Sequence, residues 1–152
     1  MMELATEASV TIDAPIASVW EALTTPDLIS RWFFGVDTET DWAEGSPIVH
    51  RGEYQGKPYE DKGTIVRVEP PRRLVQTHWS PTSGLDDSPE NYQEVTWSLS
   101  EHAGRTDLTV SEVNLPSEEA KSISERSWKA ALASLKDLLE TGGSAPVSSS
   151  EP

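Results

Sequence analysis

The chain has 152 residues, no cysteine, and 26 acidic against 12 basic side chains, giving a formal net charge of −14. That length can bury a core without metal or disulfide support, and the lack of cysteine excludes disulfides, thiolate nucleophiles and cysteine-ligated metals. The acidity repels phosphate backbones and anionic lipid surfaces, so neither nucleic acid nor a membrane is an expected partner. No basic region followed by an apolar run opens the chain and no apolar stretch could cross a bilayer, so a cytoplasmic protein is expected.

Leu4 to Ile12 alternates as a first strand. Asp13-Ala-Pro15 supplies a capping side chain and a proline suited to a first helical turn, after which Ile16, Val19, Trp20 and Leu23 recur at helical spacing. Thr25-Pro-Asp27 repeats the start signal, Leu28, Ile29, Trp32 and Phe33 form a second apolar face, and Gly35 ends it. Two short helices in a row form an elbow. From Val36 the period falls towards two, with turn residues at Glu44-Gly45, Gly52, Gln55 to Pro58, Pro70-Pro71, Ser80 to Asn91 and Ala103-Gly104. Strands are expected at 36–41, 46–53, 60–69, 72–79, 92–101 and 105–114, and short connections favour antiparallel hairpins. With the first strand the count is seven.

Pro116-Ser117 opens a last helix with Glu118 and Glu119 in its first turn, and Gly142-Gly143 stops it. Trp128, Leu132, Leu135 and Leu139, widened by Ala131 and Leu138, lay one apolar stripe along it. One domain is expected over residues 1–142, with 143–152 a disordered tail. This layout predicts an antiparallel sheet curled around a closing helix, with a cavity between them.

Strand parity then selects inward faces. Val95, Trp97 and Leu99 point to the core, as do Leu108 and Val110; the same parity carries Glu112 inward, to a rim position, an ion pair or a ligand contact. In 60–69 the inward set is Thr64, Val66 and Val68, with Ile65 blurring the pattern. In 72–79 it is Val75, Thr77 and Trp79, opposed by Leu74, Gln76 and His78, and the Trp79 face is assigned to the cavity. Trp20, Trp97 and Trp128 suit packing, while Trp32 and Phe33 at the elbow suit either core or cavity. Phe34, off the stripe, is a gate residue or a loop aromatic. Tyr92 and Ser124 complete the cavity-lining candidates.

Histidines are the natural acid–base candidates. His102 lies in a hairpin connection and is expected in solvent, His78 is expected to point away from the cavity, and His50, sharing a face with Ile48, is expected to look inward, more as a structural than a catalytic residue. His50 and Glu53 are three apart on a strand and face opposite sides. No zinc-ligand spacing, phosphate-cradling glycine loop or Gly-x-Ser-x-Gly elbow is present, so no catalytic residue, metal or cofactor is assigned.

The run Ala14-Pro15, Val19-Trp20-Glu-Ala-Leu-Thr24, Pro26, Arg31-Trp32-Phe33, Gly63-Thr-Ile65, Val68-Glu-Pro-Pro-Arg-Arg-Leu74, Trp79, Val95-Thr-Trp97 and Trp128 to Leu139 resembles the bacterial activator-of-Hsp90-ATPase-homologue-1-like group of the START-like, or SRPBCC, superfamily. The resemblance covers residues 5 to 140. It implies an α+β helix-grip (Bet v 1-like) fold, a seven-stranded antiparallel sheet wrapped around a long C-terminal helix. It further implies binding of lipids, polyketides or other hydrophobic molecules; some relatives are aromatases or cyclases. The eukaryotic namesake stimulates a chaperone ATPase and also uses an additional N-terminal domain, whereas a single domain is expected here.

Three readings stay open. The first is a binding module for a small hydrophobic molecule (a lipid, polyketide or aromatic metabolite), entered near Trp32-Phe33-Phe34 and oriented by His50, Tyr92 or Glu112. In this reading Trp32→Ala weakens binding without unfolding the domain. The second is a cyclase- or hydratase-type enzyme in which His50 or Glu112 moves a proton. The third is a protein-partner module, with a chaperone or a second copy of the chain as partner.

Overall fold

The computed structural model describes residues 4–141; the expected tail at 143–152 and the Gly142-Gly143 stop lie outside them. The elements run β1 (Leu4–Ile12), α1 (Ile16–Thr24), α2 (Pro26–Trp32), β2 (Asp37–Glu39), β3 (Pro47–Tyr54), β4 (Lys57–Glu69), β5 (Arg73–His78), β6 (Gln93–His102), β7 (Arg105–Leu115) and α3 (Glu118–Thr141). Short 3-10 turns at Pro81–Ser83 and Pro89–Asn91 interrupt the loop before β6. The seven strands form one sheet in the order β1-β7-β6-β5-β4-β3-β2, antiparallel at every pairing. This is the α+β helix-grip arrangement, and no strand boundary differs from the sequence expectation by more than three residues.

β1 and β2 form opposite edges of the sheet, so the chain between them must span its whole width. The elbow of α1 and α2 makes that crossing and closes one end. Pro15, not a polar side chain, is the residue before α1, and the Ile16 N–H donates to Oε2 of Glu101, brought in from β6, at 3.0 Å. The expected Asp13 cap is therefore replaced by a tertiary one. Ser117 caps α3 as its sequence suggests, its Oγ accepting from the Ala120 N–H at 3.1 Å.

α3 lies against β1 and β7 with Ala131, Leu132 and Leu135 buried. Burying each of those leucines contributes about 2 kcal/mol. Val95, Trp97, Leu99, Leu108 and Val110 face the core, as their alternation indicates.

Two inward faces are corrected. In β4, Ile65 is fully buried and Val66 is 44% exposed. The register with β5 slips between Ile65 and Arg67, so Ile65 sits opposite Gln76 and Val68 opposite Leu74. A bulge of this kind inserts one residue and resets the parity. It turns Val66 outward and lets Ile65 and Val68, three apart, share a face. In β5 the inward residues are Leu74, Gln76 and His78, not Val75, Thr77 and Trp79. A rule of apolar-in, polar-out inverts there because the enclosed space has a polar end.

Candidate functional site

Between α3, the elbow and the inner face of the sheet lies a cavity of about 440 Å³. One part of its wall is aromatic. Trp32 on α2, Trp97 on β6 and Trp128 on α3 meet edge to face, with centroids 5.8 Å apart for Trp32–Trp97 and 5.4 Å for Trp97–Trp128. Phe33 stacks parallel to Trp128 at 6.0 Å, across the gap between elbow and helix. Edge-to-face and offset-stacked arrangements of this kind are the ones that aromatic pairs prefer.

The other part is a polar belt set by strand register. Thr38 pairs with His50 across β2–β3, His50 with Asp61 across β3–β4, His78 with Gln93 across β5–β6, and Val95 with Glu112 across β6–β7. Cross-strand partners project to the same side, so Thr38, His50 and Asp61 line up along the inner face. The β3–β4 register follows from the two-residue turn Gln55-Gly56, both with positive φ (53° and 79°), the conformation a tight hairpin needs. Gly63, next to the belt, has no room for a side chain: a Cβ there would lie 1.7 Å from the Thr77 carbonyl oxygen.

Within the belt, His50 Nδ1 lies 3.0 Å from Thr38 Oγ1 and its Nε2 lies 3.3 Å from Gln76 Nε2. The Gln76 amide donating to Nε2 leaves the ring proton on Nδ1 to be given to Thr38, a neutral tautomer. Burial, reinforced by the nearby charge of His78, lowers the His50 pKa to about 4. His78 behaves in the opposite way. Burial works against its charge, but the hydrogen bond to Asp61 Oδ2 at 3.0 Å and the charges of Asp61 and Glu112 outweigh it, and its pKa is raised. The remaining Asp61 oxygen, Oδ1, is buried and has no hydrogen-bond partner among the described residues. Glu112, 8% exposed, accepts at Oε1 from Ser124 Oγ (2.5 Å) and Trp128 Nε1 (2.9 Å). Among the described residues no group of three or more His, Asp or Glu side chains converges to hold a metal ion.

Of the cavity-lining candidates named from sequence, Trp32, Phe33, His50, Trp97, Glu112, Ser124 and Trp128 line the cavity. The others do not. Phe34 takes a left-handed backbone (φ 55°) that swings it outward to 63% exposure. Val66 is the bulge residue, Val68 packs beside the core past that bulge, and Val110 is buried in the core away from the cavity wall. Trp79, just past β5, and Tyr92, just before β6, stack on each other, centroids 6.3 Å apart, outside the cavity lining. There Trp79 Nε1 donates to the Leu85 carbonyl, Tyr92 Oη donates to Asp87 at 2.5 Å, and Lys62 pairs with Asp87. That cluster fastens the 80–92 loop instead of lining the cavity. His102 is exposed beside Asp107.

Trp32 is 3% exposed and its Nε1 donates to the Ala22 carbonyl at 2.8 Å, so it is a core residue as well as a wall. Trp32→Ala would open a cavity costing about 3–5 kcal/mol, so a loss of binding in that variant has to be measured alongside its loss of stability. The sequence reading passed over Asp61 and Gln93, and it turned Gln76 and His78 away from the cavity that they in fact line. The signal for Asp61 was present: a two-residue turn at Gln55-Gly56 places it opposite His50.

Residues 13–140 match the family model described as Activator of Hsp90 ATPase homolog 1-like protein. The comparison with curated proteins found no match. Among solved structures the chain is similar to ChR145 from Cytophaga hutchinsonii (40% identity, TM-score 0.79, 93% of this chain and 97% of that one). It is also similar to CalU16 from Micromonospora echinospora (29%, TM-score 0.69, 91% and 77%). A third neighbour is DynU16, a protein of the dynemicin biosynthetic locus (25%, TM-score 0.75, 91% of this chain and 48% of that one, so this chain spans about half of its length).

Proposed function

We propose that this chain, which belongs to the activator of Hsp90 ATPase homolog 1-like family, binds a small, largely apolar molecule between α3 and the sheet. The observation that carries the reading is the 440 Å³ cavity with an aromatic wall facing a preformed polar belt. Apolar burial at about 25 cal/mol per Å² supplies affinity, and a few fixed polar groups supply orientation, as in ordinary small-molecule sites. The placement of DynU16 in a biosynthetic locus is in keeping with a small-molecule ligand.

A thermal-shift screen against aromatic metabolites, polyketides and aliphatic alcohols tests the reading. A ligand at about 100 times its dissociation constant stabilises the native state by about 2.7 kcal/mol. Ser127 is exposed and sits on α3 at the cavity's margin, so Ser127→Trp blocks entry with little effect on the core. Stabilisation lost in that variant supports the cavity as the site; stabilisation retained there removes it.

One observation favours a second reading, acid–base chemistry on a bound carbonyl compound. His78, which holds its proton to higher pH than an ordinary histidine, stands 6.3 Å from the neutral His50 between ring centroids. Groups pushed apart in this way mark acid and base roles. Exchange of the α-protons of a bound ketone for deuterium, abolished by His78→Gln, supports this reading; exchange at the solvent rate rejects it.

A further inference from the structure

The charges that face the cavity are one-sided. Among the described residues, Asp61 and Glu112 line it and no lysine or arginine does. The one lining histidine whose pKa is raised, His78, is already engaged by Asp61 at 3.0 Å. His50 gives both ring nitrogens to Thr38 and Gln76.

Against this, two carboxylate oxygens are left over. Glu112 is more than nine-tenths buried, and both of its hydrogen bonds, from Ser124 and Trp128, fall on Oε1. Among the described residues its Oε2 receives no donor and it forms no ion pair. Among the described residues Asp61 Oδ1, which is buried, has no partner. A buried acceptor such as Asp61 Oδ1, left without a donor, is costly, the more so when it is charged, and that cost is recovered when a ligand supplies the donor. A carboxylate ligand would bring a further negative charge to oxygens that already lack partners, in surroundings where the interaction is less screened than in water.

We infer that the cavity selects ligands by head-group charge: it takes an apolar body ending in a protonated amine, seated against Glu112 Oε2, and rejects the corresponding carboxylate. The Trp128 indole borders that position, its Nε1 donating to the other oxygen of the same carboxylate at 2.9 Å. This inference rests on the ligand-binding reading above and narrows it to a chemical class; free fatty acids fall outside it, and long-chain or aryl amines fall within it.

The test is a matched series with one apolar body and three head groups: decylamine, decan-1-ol and decanoate, each kept below its micelle concentration. Binding is measured calorimetrically to the full chain at neutral pH and at moderate salt. Decylamine is expected to bind at least about tenfold more tightly than decanoate, with the alcohol between them. Glu112→Gln keeps the acceptor for Ser124 and Trp128 but removes the charge, and it should abolish the preference for amine over alcohol. Because the whole chain carries −14, surface attraction is separated with Ser127→Trp, which leaves the charge unchanged and should eliminate amine binding.

Decanoate binding as tightly as decylamine, or Glu112→Gln retaining the amine preference, overturns the inference. So does amine binding that survives Ser127→Trp. If the alcohol binds and head groups are not distinguished, the cavity reading stands and the charge selection falls. If none of the three binds, both fall.

Discussion

His50 and His78 face one another with ring centroids 6.3 Å apart, and the surroundings push their proton affinities in opposite directions. The difference arises from Asp61, which lies opposite His50 in the strand register yet hydrogen-bonds to His78. Burial without a counter-charge in contact keeps one imidazole neutral. Burial with a carboxylate at 3.0 Å lets the other hold its proton.

The low pKa of His50 makes stability depend on pH with a definite sign. Below about 6.5 the unfolded chain takes up a proton at this residue and the folded chain does not, so stability present above 6.5 is lost as pH falls towards about 4. The loss is on the order of 3 kcal/mol. Urea unfolding at pH 6.5 and 4.5 should show a smaller drop in His50→Gln than in the parent; equal drops would count against a buried neutral His50.

For His78 the sign is reversed: its contribution is full below the unfolded pKa and lost as pH rises through the raised folded value. Asp61→Asn removes the charge that opposes burial. The His78 ring-proton midpoint, followed by NMR, should then fall. A midpoint that does not move would show that Asp61 is not its controlling partner.

The corrected parity of β4 has a mechanical consequence. Val66→Thr, at the exposed bulge, should change stability by less than about 0.5 kcal/mol, whereas Ile65→Ala should cost about 2–5 kcal/mol. Denaturant midpoints of the two variants separate this register from the alternation in which Val66 faces inward.

Gly63→Ala places a methyl group where the Thr77 carbonyl oxygen already sits, and backbone on both sides has little freedom to yield. A loss of about 3 kcal/mol, or failure to fold, is expected. Because β4 carries Asp61 and β5 carries His78, partial survival should also show as a changed His78 titration. A fully stable Gly63→Ala variant with a native titration would rule out the close β4–β5 approach.

The sequence by itself determined the elements and their order. Apolar spacing located the elbow helices and the α3 stripe, turn residues cut the middle of the chain into strands, and alternation oriented β6 and β7, down to an inward Glu112. These are local signals, read over one or two turns of helix or a few strand residues. The sequence also carried the family, through the order and spacing of loose motifs.

Tertiary structure decided which polar residues share the cavity. The bulge at Val66 is a property of the β4–β5 pairing, invisible to alternation within β4 alone. Gln76 and His78 face inward because the strands on either side bring Ile65, Val95 and Gln93 opposite them, around a space with a polar end. Asp61 meets His78, and Glu112 meets Ser124 and Trp128, across 17, 12 and 16 positions of sequence, distances over which no periodicity extends. Pairing between strands and helix docking fix those contacts, and with them the charge of the site.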